Sequence, residues 1–195
     1  MTAPSDYWNR VAESKTFHHP LDVDRVRMLV TPAASILDVG CGYGRTLAQL
    51  ADLGYHRLVG VDTAAGMIAR GRRLHPDLDL RVIAPGPLPF PDVSFAAAFL
   101  VAVLTCIPAD DDQRALVAEI RRVLRPGGVL YVSDLLLAAD ERNVARYREG
   151  ADASRGTVSS STPRAWSCAT TTPRGSVSSR RASTRSRSSS STRGR

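Results

Sequence analysis

Lysine is almost missing from this chain. One residue, Lys15, stands against 25 arginines in 195 positions, a bias of the kind GC-rich coding DNA imposes rather than a chemical requirement. Cysteine is scarce too: Cys41, Cys106 and Cys168 are widely spaced and odd in number. That pattern excludes a disulfide framework and zinc-ligand spacing, and it makes a reducing cytoplasm the expected location. Long apolar runs are absent. The most apolar stretch, residues 95–104, is far short of the roughly 20 residues that span a bilayer, and no charged-then-apolar leader precedes Asp6-Tyr7-Trp8. Acidic residues are lacking only locally. The last 45 residues hold a single acid, Asp152, against nine arginines, whereas residues 1–150 hold seventeen basic and eighteen acidic side chains, a net charge of −1. The overall charge of +7, which by itself suggests a nucleic-acid partner, therefore belongs to the tail.

What is present is an alternation. Ser35-Ile36-Leu37-Asp38-Val39 is a short apolar run ended by glycines and predicts a buried strand. Residues 45–53 follow a helical period through Leu47, Leu50 and Leu53 and stop at Gly54, a C-cap residue. Residues 57–61 predict a second strand and 63–74 a second helix. Strands follow at 78–83, 95–101 and 129–133, with an amphipathic helix over about 111–124 that Arg125-Pro126-Gly127-Gly128 breaks. Strands separated by helices pair in parallel and are covered on both faces, which is why these runs are continuously apolar. The expected fold is α/β, a doubly wound, Rossmann-like and mostly parallel sheet of about five strands, with ligands beyond the carboxyl ends of the strands.

Three regions are expected: an N-terminal helical cap over 1–34, a cofactor-binding domain over 35–149, and a tail over 150–195. In the last 45 residues Ser, Thr and Arg fill 30 positions, and Val158, Trp166 and Val177 are the only sizeable apolar residues. Such a segment cannot offset its ordering entropy, so disorder is expected there.

The strongest chemical signal is Asp38-Val39-Gly40-Cys41-Gly42-Tyr43-Gly44, between a strand and a helix. Glycines there let the backbone turn tightly and approach a ligand, and the following helix start offers unpaired N–H groups. Asp62, at the tip of the second strand, is placed to accept hydrogen bonds from both hydroxyls of a ribose. A dinucleotide fingerprint needs its third glycine at residue 45, which is Arg. The glycine falls at 44 instead.

In these features the chain resembles the class I S-adenosylmethionine-dependent methyltransferases, in particular the small-molecule type, over about residues 5–149. The resemblance rests further on Val59-Gly60-Val61-Asp62-Thr63 with Met67, on Leu88-Pro89-Phe90-Pro91-Asp92 with Ser94-Phe95, and on Arg122-Val123-Leu124-Arg125-Pro126-Gly127-Gly128-Val129-Leu130. It implies S-adenosyl-L-methionine as cofactor, with Gly40, Cys41, Gly42 and Gly44 around the methionyl part and Asp38 positioning its ammonium. It implies Asp62 at the ribose, Thr63 and Met67 bordering the adenine, and Leu100 and Val101 facing the sulfonium. It also implies an N-terminal segment closing over the cofactor, with Tyr7, Trp8 or His19 lining the acceptor pocket. No catalytic base and no metal ligand is identified. Asp110-Asp111-Asp112 is expected to be a solvated helix start, favourable to the helix dipole. Cys41 and Cys106 are expected to be buried fillers.

The chain departs from the family pattern at two places. The acid that normally ends the third strand falls on Ala84, and the next amide falls on Pro85, which has none. After Ser133 a helix is expected to lead directly into the tail, leaving out the family's last two strands. The fifth strand would then be an open edge prone to self-association. Composition changes so abruptly near Gly150 that a frame-shifted tail is expected, with a genuine basic arm binding nucleic acid non-specifically as the alternative. The expected function is transfer of a methyl group to a small-molecule acceptor, the alternative being an impaired cofactor-binding remnant. No membrane partner is expected.

Overall fold

The computed structural model describes residues 4–134. The expected helix after Ser133 and the basic tail lie outside the described residues. Elements run in the order α1 (Pro4–Val11), α2 (Val23–Leu29), β1 (Ser35–Val39), α3 (Arg45–Asp52), β2 (Arg57–Asp62), α4 (Ala65–Leu74), β3 (Asp79–Val82), β4 (Phe95–Val101), a 3₁₀ turn (Leu104–Cys106), α5 (Asp110–Val123) and β5 (Leu124–Ser133). The strands form one sheet in the order β3-β2-β1-β4-β5, every pairing parallel. This is the doubly wound α/β arrangement. The chain moves outward from β1 through β2 to β3, then returns to the other side of β1 for β4, so the direction of winding reverses between β1 and β4.

Alternation along the central strands sorts the core into two layers. Ile36, Ala97 and Phe99 pack with Val26, Leu47, Leu50, Tyr55 and Ile68 on one face. Leu37, Val39, Ala98 and Leu100 pack with Leu104, Ile120 and Val123 on the other. The central strands are therefore apolar at every position, since both faces are covered. β4 reads Phe-Ala-Ala-Ala-Phe-Leu-Val, and its first six residues are all buried.

Two close approaches depend on glycine. A side chain at Gly60 would place its Cβ 2.6 Å from Leu47 Cδ1 and 2.8 Å from Cys41 Sγ, so the bare strand lets α3 close down on β2. A Cβ at Gly71 would lie 2.6 Å from Leu80 Cδ1 and 2.9 Å from the carbonyl oxygen of Tyr43, so α4 rests against the main chain of the 40–44 loop.

Most boundaries agree with the sequence to within two residues, and β5 is the exception. It begins at Leu124 rather than Val129, because Arg125-Pro126-Gly127-Gly128 continues the strand instead of breaking off before it. Phe95 pairs with Leu124 and Ala97 with Val129, so the extra residues are absorbed in an irregularity between those pairs. Proline is tolerated because β5 is the outer strand among the described residues, where a missing amide forfeits no ladder bond on its open side. Val93 and Ala102 flank β4 with φ of 60° and 57°, left-handed values for residues that carry a Cβ. The value is most strained for the β-branched Val93.

Candidate functional site

The reversal in sheet order opens a cavity of about 1080 Å³ across the carboxyl ends of β1, β2 and β4. That is the position ligands occupy in open α/β sheets. The volume stands at the upper end of the roughly 300–1,000 Å³ range of ligand pockets.

The wall beyond β1 and β2 is made largely of main chain. The amides of Gly40 and Cys41 donate to the carbonyl of Val61 at 2.8 and 3.1 Å, tying the turn after β1 to β2. Gly44 closes the turn by donating to Cys41 and stands as the N-cap of α3. Gly42 has φ of 56°, and a Cβ there would lie 2.8 Å from Phe17 Cε2, so the loop must be bare both for its own turn and for the aromatic ring above it. Asp62 fastens the loop from below. Its Oδ2 accepts from the Gly42 amide and its Oδ1 from the Ala64 amide, both at 2.8 Å. Burial pushes the Asp62 carboxyl up, while these amide bonds oppose the shift.

Asp38 is the anomaly of this wall. It is 2% exposed, and its Oδ2 has no hydrogen-bond partner. Burial, with the neighbouring Asp62 charge, pushes its carboxyl up to about 8, and Arg45 opposes the shift. A buried carboxyl without a partner is costly unless something cationic or a donor completes it. The Cys41 thiol is likewise pushed up, by burial first and then by both aspartates, so it stays protonated and fills space.

A second wall comes from residues 83–88. Ile83 donates to the carbonyl of Asp62 at 3.0 Å. Leu88 donates to Glu119 Oε2, and Arg122 donates to the carbonyls of Leu88 and Phe90 and to the carboxylates of Glu119 and Asp92. One arginine thus braces the whole Leu-Pro-Phe-Pro-Asp stretch. Ala84, Pro85 and Gly86 line the cavity, bringing neither a carboxylate nor, at Pro85, an amide.

The third wall is built from side chains. Phe17 stacks on Tyr43 with ring centroids 5.2 Å apart, and its amide donates to the Tyr43 hydroxyl at 3.1 Å. Arg70 lies over the Tyr43 ring, with its guanidinium 4.2 Å from the ring centroid, and donates to the carbonyls of Ala12 and Lys15. Asn9 accepts from the Gly66 amide at 2.8 Å. The segment after α1 is therefore strapped to α4 and to the glycine loop. Opposite it stand Val101, Ala102, Val103, Thr105, Cys106 and Ile107.

Of the residues expected at the site, Asp38, Gly40, Cys41, Gly42, Asp62, Thr63, Met67 and Val101 line this cavity. Gly44 and Leu100 do not. Gly44 faces Leu80 and Leu78, shaping the loop from behind. Leu100 is fully buried in the layer that packs on α5, because neighbouring strand residues point to opposite faces and only Val101 reaches the cavity. Trp8 and His19 line it, whereas Tyr7 stands outside as an exposed ring. Sequence reasoning missed Phe17, Arg45, Val103 and Leu116, which no motif contains. Periodicity marked Leu116 only as a core position of α5. Asp110, Asp111 and Asp112 form the first turn of α5, where their charge suits the helix dipole. Among the described residues no cluster of His, Cys, Asp and Glu could hold a metal ion, and no helix is long and apolar enough to cross a membrane.

A family model described as a methyltransferase domain matches residues 37–132. An O-methyltransferase of Aspergillus sclerotiorum is 31% identical over 132 residues, which is 63% of this chain and 49% of that protein. A demethylmenaquinone methyltransferase of Renibacterium salmoninarum is 36% identical over 103 residues, 53% of this chain and 42% of that protein. The chain thus spans about half the length of the curated relatives it matches. Among solved structures, a SAM-dependent methyltransferase from Methanosarcina mazei aligns with a TM-score of 0.57 at 25% identity, covering 68% of this chain and 64% of that one.

Proposed function

We propose that this chain, which a methyltransferase-domain family model matches over residues 37–132, transfers a methyl group from S-adenosyl-L-methionine to a small-molecule acceptor. The observation that carries this reading is the Asp38 carboxyl, buried beside the glycine loop with one oxygen unpartnered. An ammonium group arriving there converts the least favourable polar atom of the site into half of an ion pair. The loop fits the rest of such an amino-acid end, since Gly40 and Gly42 leave open the approach that a Cβ would fill.

In this reading Asp38 and loop 40–44 hold the methionyl end, Asp62 accepts from the ribose hydroxyls with lone pairs its amide partners leave free, and Thr63 and Met67 border the adenine. Val101 stands at the reacting centre. Ala84 and Pro85 offer the adenine edge no hydrogen bond, so its recognition falls to packing. When bound, the cofactor supplies a methyl carbon made electrophilic by its sulfonium sulfur. The chain's own contribution is position: a mostly apolar cavity that holds two molecules in line, the effect that dominates two-substrate reactions. The two described cysteines are free thiols, which suits a reducing cytoplasmic location.

Isothermal titration with S-adenosylhomocysteine tests the reading. Binding at one site, weakened by Asp38→Asn, is expected. Absence of binding by the full chain sinks it.

A further inference from the structure

Within the cavity, one polar pair takes no part in holding a cofactor. His19, on the segment between α1 and α2, lines the cavity, and its Nε2 lies 2.8 Å from Ser133 Oγ at the carboxyl end of β5. The two residues are 114 positions apart, so the fold alone brings them together. The lining of the same cavity includes the apolar side chains Trp8, Phe17, Val103, Ile107 and Leu116.

The other titratable groups of the lining are engaged or solvated: Glu119, on α5, accepts from the Leu88 amide and from Arg122, and Asp112 stands exposed in the first turn of the same helix. Lys15, on the same segment, is a cation. Cys106, on the 3₁₀ turn, has its thiol pushed up by burial and donated to the carbonyl of Ala102. Asp134, just past β5, accepts from the amides of Leu104 and Thr105. Asp38 and Asp62 serve the opposite wall. His18 is exposed and lacks the serine that fixes its neighbour.

We propose that His19 is the general base for an acceptor that bears a hydroxyl on a flat apolar body, and that Ser133 positions its ring. This rests on the methyl-transfer reading above. In the tautomer that donates Nε2–H to Ser133 Oγ, Nδ1 carries the free lone pair. As the acceptor oxygen forms its bond to the methyl carbon, its O–H bond breaks and the proton passes to Nδ1. The electron pair of the broken carbon–sulfur bond stays on the sulfur of the S-adenosylmethionine donor, giving the thioether. The imidazolium then returns its proton to water.

Full-length protein and its His19→Gln, His19→Ala and Ser133→Ala variants are compared with naphthol as the hydroxyl probe, and with thiophenol and aniline as controls. Expected are transfer to naphthol by the unaltered protein, a roughly 100-fold or greater loss of kcat in both His19 variants, and loss of the acidic limb of its pH profile. Unchanged S-adenosylhomocysteine affinity and thermal midpoint show that the variants fold. Glutamine keeps a donor for Ser133 but cannot take the proton, so a merely structural role for His19 would be rescued by it. Ser133→Ala is expected to lose roughly tenfold, the worth of one hydrogen bond, with the profile retained. The readout independent of turnover is the His19 ring signal in NMR, identified by its loss in His19→Gln, which is expected to shift when naphthol binds to the protein saturated with S-adenosylhomocysteine. The proposal is overturned if either His19 variant keeps kcat within threefold, if aniline or thiophenol is methylated and naphthol is not, or if no probe is methylated while S-adenosylhomocysteine binds. Failure of that binding itself overturns the cofactor reading instead.

Discussion

The two sides of the cavity are made of different material. Beyond β1 and β2 the wall is peptide backbone, bent by three glycines and pinned by Asp62 through two amides. Beyond β4 and beneath the N-terminal segment it is side chain: a stacked Phe17–Tyr43 pair, Trp8, Val103, and the His19–Ser133 contact. A backbone wall holds one shape and recognises a constant ligand. A side-chain wall can be rebuilt residue by residue without disturbing the fold, which is where acceptor choice can vary.

The sharpest way to break this contrast is at Asp62. Asp62→Ala removes two charge-assisted bonds from the loop and is expected to cost about 3–5 kcal/mol in urea unfolding, with S-adenosylhomocysteine affinity down by more than about 100-fold. Retention of affinity would mean that the loop holds its shape without the carboxylate.

Asp38 gives the next largest effect, and its sign is informative. A carboxyl pushed up to about 8 in the folded chain binds a proton that the unfolded chain has already lost above about pH 4. The folded state is therefore favoured at low pH, and its stability declines as pH rises from about 4 to about 8. Asp38→Asn is expected to flatten that decline in denaturation curves taken at pH 5 and pH 8. The same variant is expected to weaken S-adenosylhomocysteine binding about 10–100-fold, the loss of a hydrogen bond to a charged group.

Val93 lies outside both walls and serves as the control for backbone strain. It is 54% exposed with φ of 60°, so little packing is lost on substitution. Val93→Asn is expected to stabilise the chain by about 1 kcal/mol and raise its thermal midpoint, with ligand binding unaltered. The smallest effect on stability is expected at Ala115, an exposed position of α5 that borders the cavity. Ala115→Trp is expected to shift stability by no more than about 0.5 kcal/mol and leave S-adenosylhomocysteine affinity unchanged. It is expected to weaken naphthol binding several-fold by calorimetry. Equal losses for both ligands would show that the two walls are not separable.

The same division explains what could be read from the sequence. β1 and β4 fall where the apolar runs place them, and α3 starts at Arg45 directly after the third glycine. The backbone wall was legible because its parts are close in sequence and each has a local signature: a glycine where φ is positive, an acid at a strand tip. The end of the strand pairs Leu100 with Val101, although alternation sends only Val101 to the cavity. Pro and Gly place the start of β5 five residues late, because they signal a break while an outer strand can carry them. Of the third wall, the family resemblance points to Trp8 and His19, and not to the contacts that hold them. Phe17 meets Gly42, and His19 meets Ser133, through tertiary closure of segments far apart in the chain, and no spacing rule connects them.

Gly71 carries a consequence for how this protein tolerates change. It sits on α4, outside the cavity lining, yet any β-carbon there meets Leu80 and the carbonyl of Tyr43 at under 3 Å. Displacing α4 moves the loop that the helix leans on. A complete substitution scan scored by ligand binding would therefore mark Gly71 as sharply as Gly42, and a reader of that scan would count as a contact residue one whose whole contribution is the room it leaves.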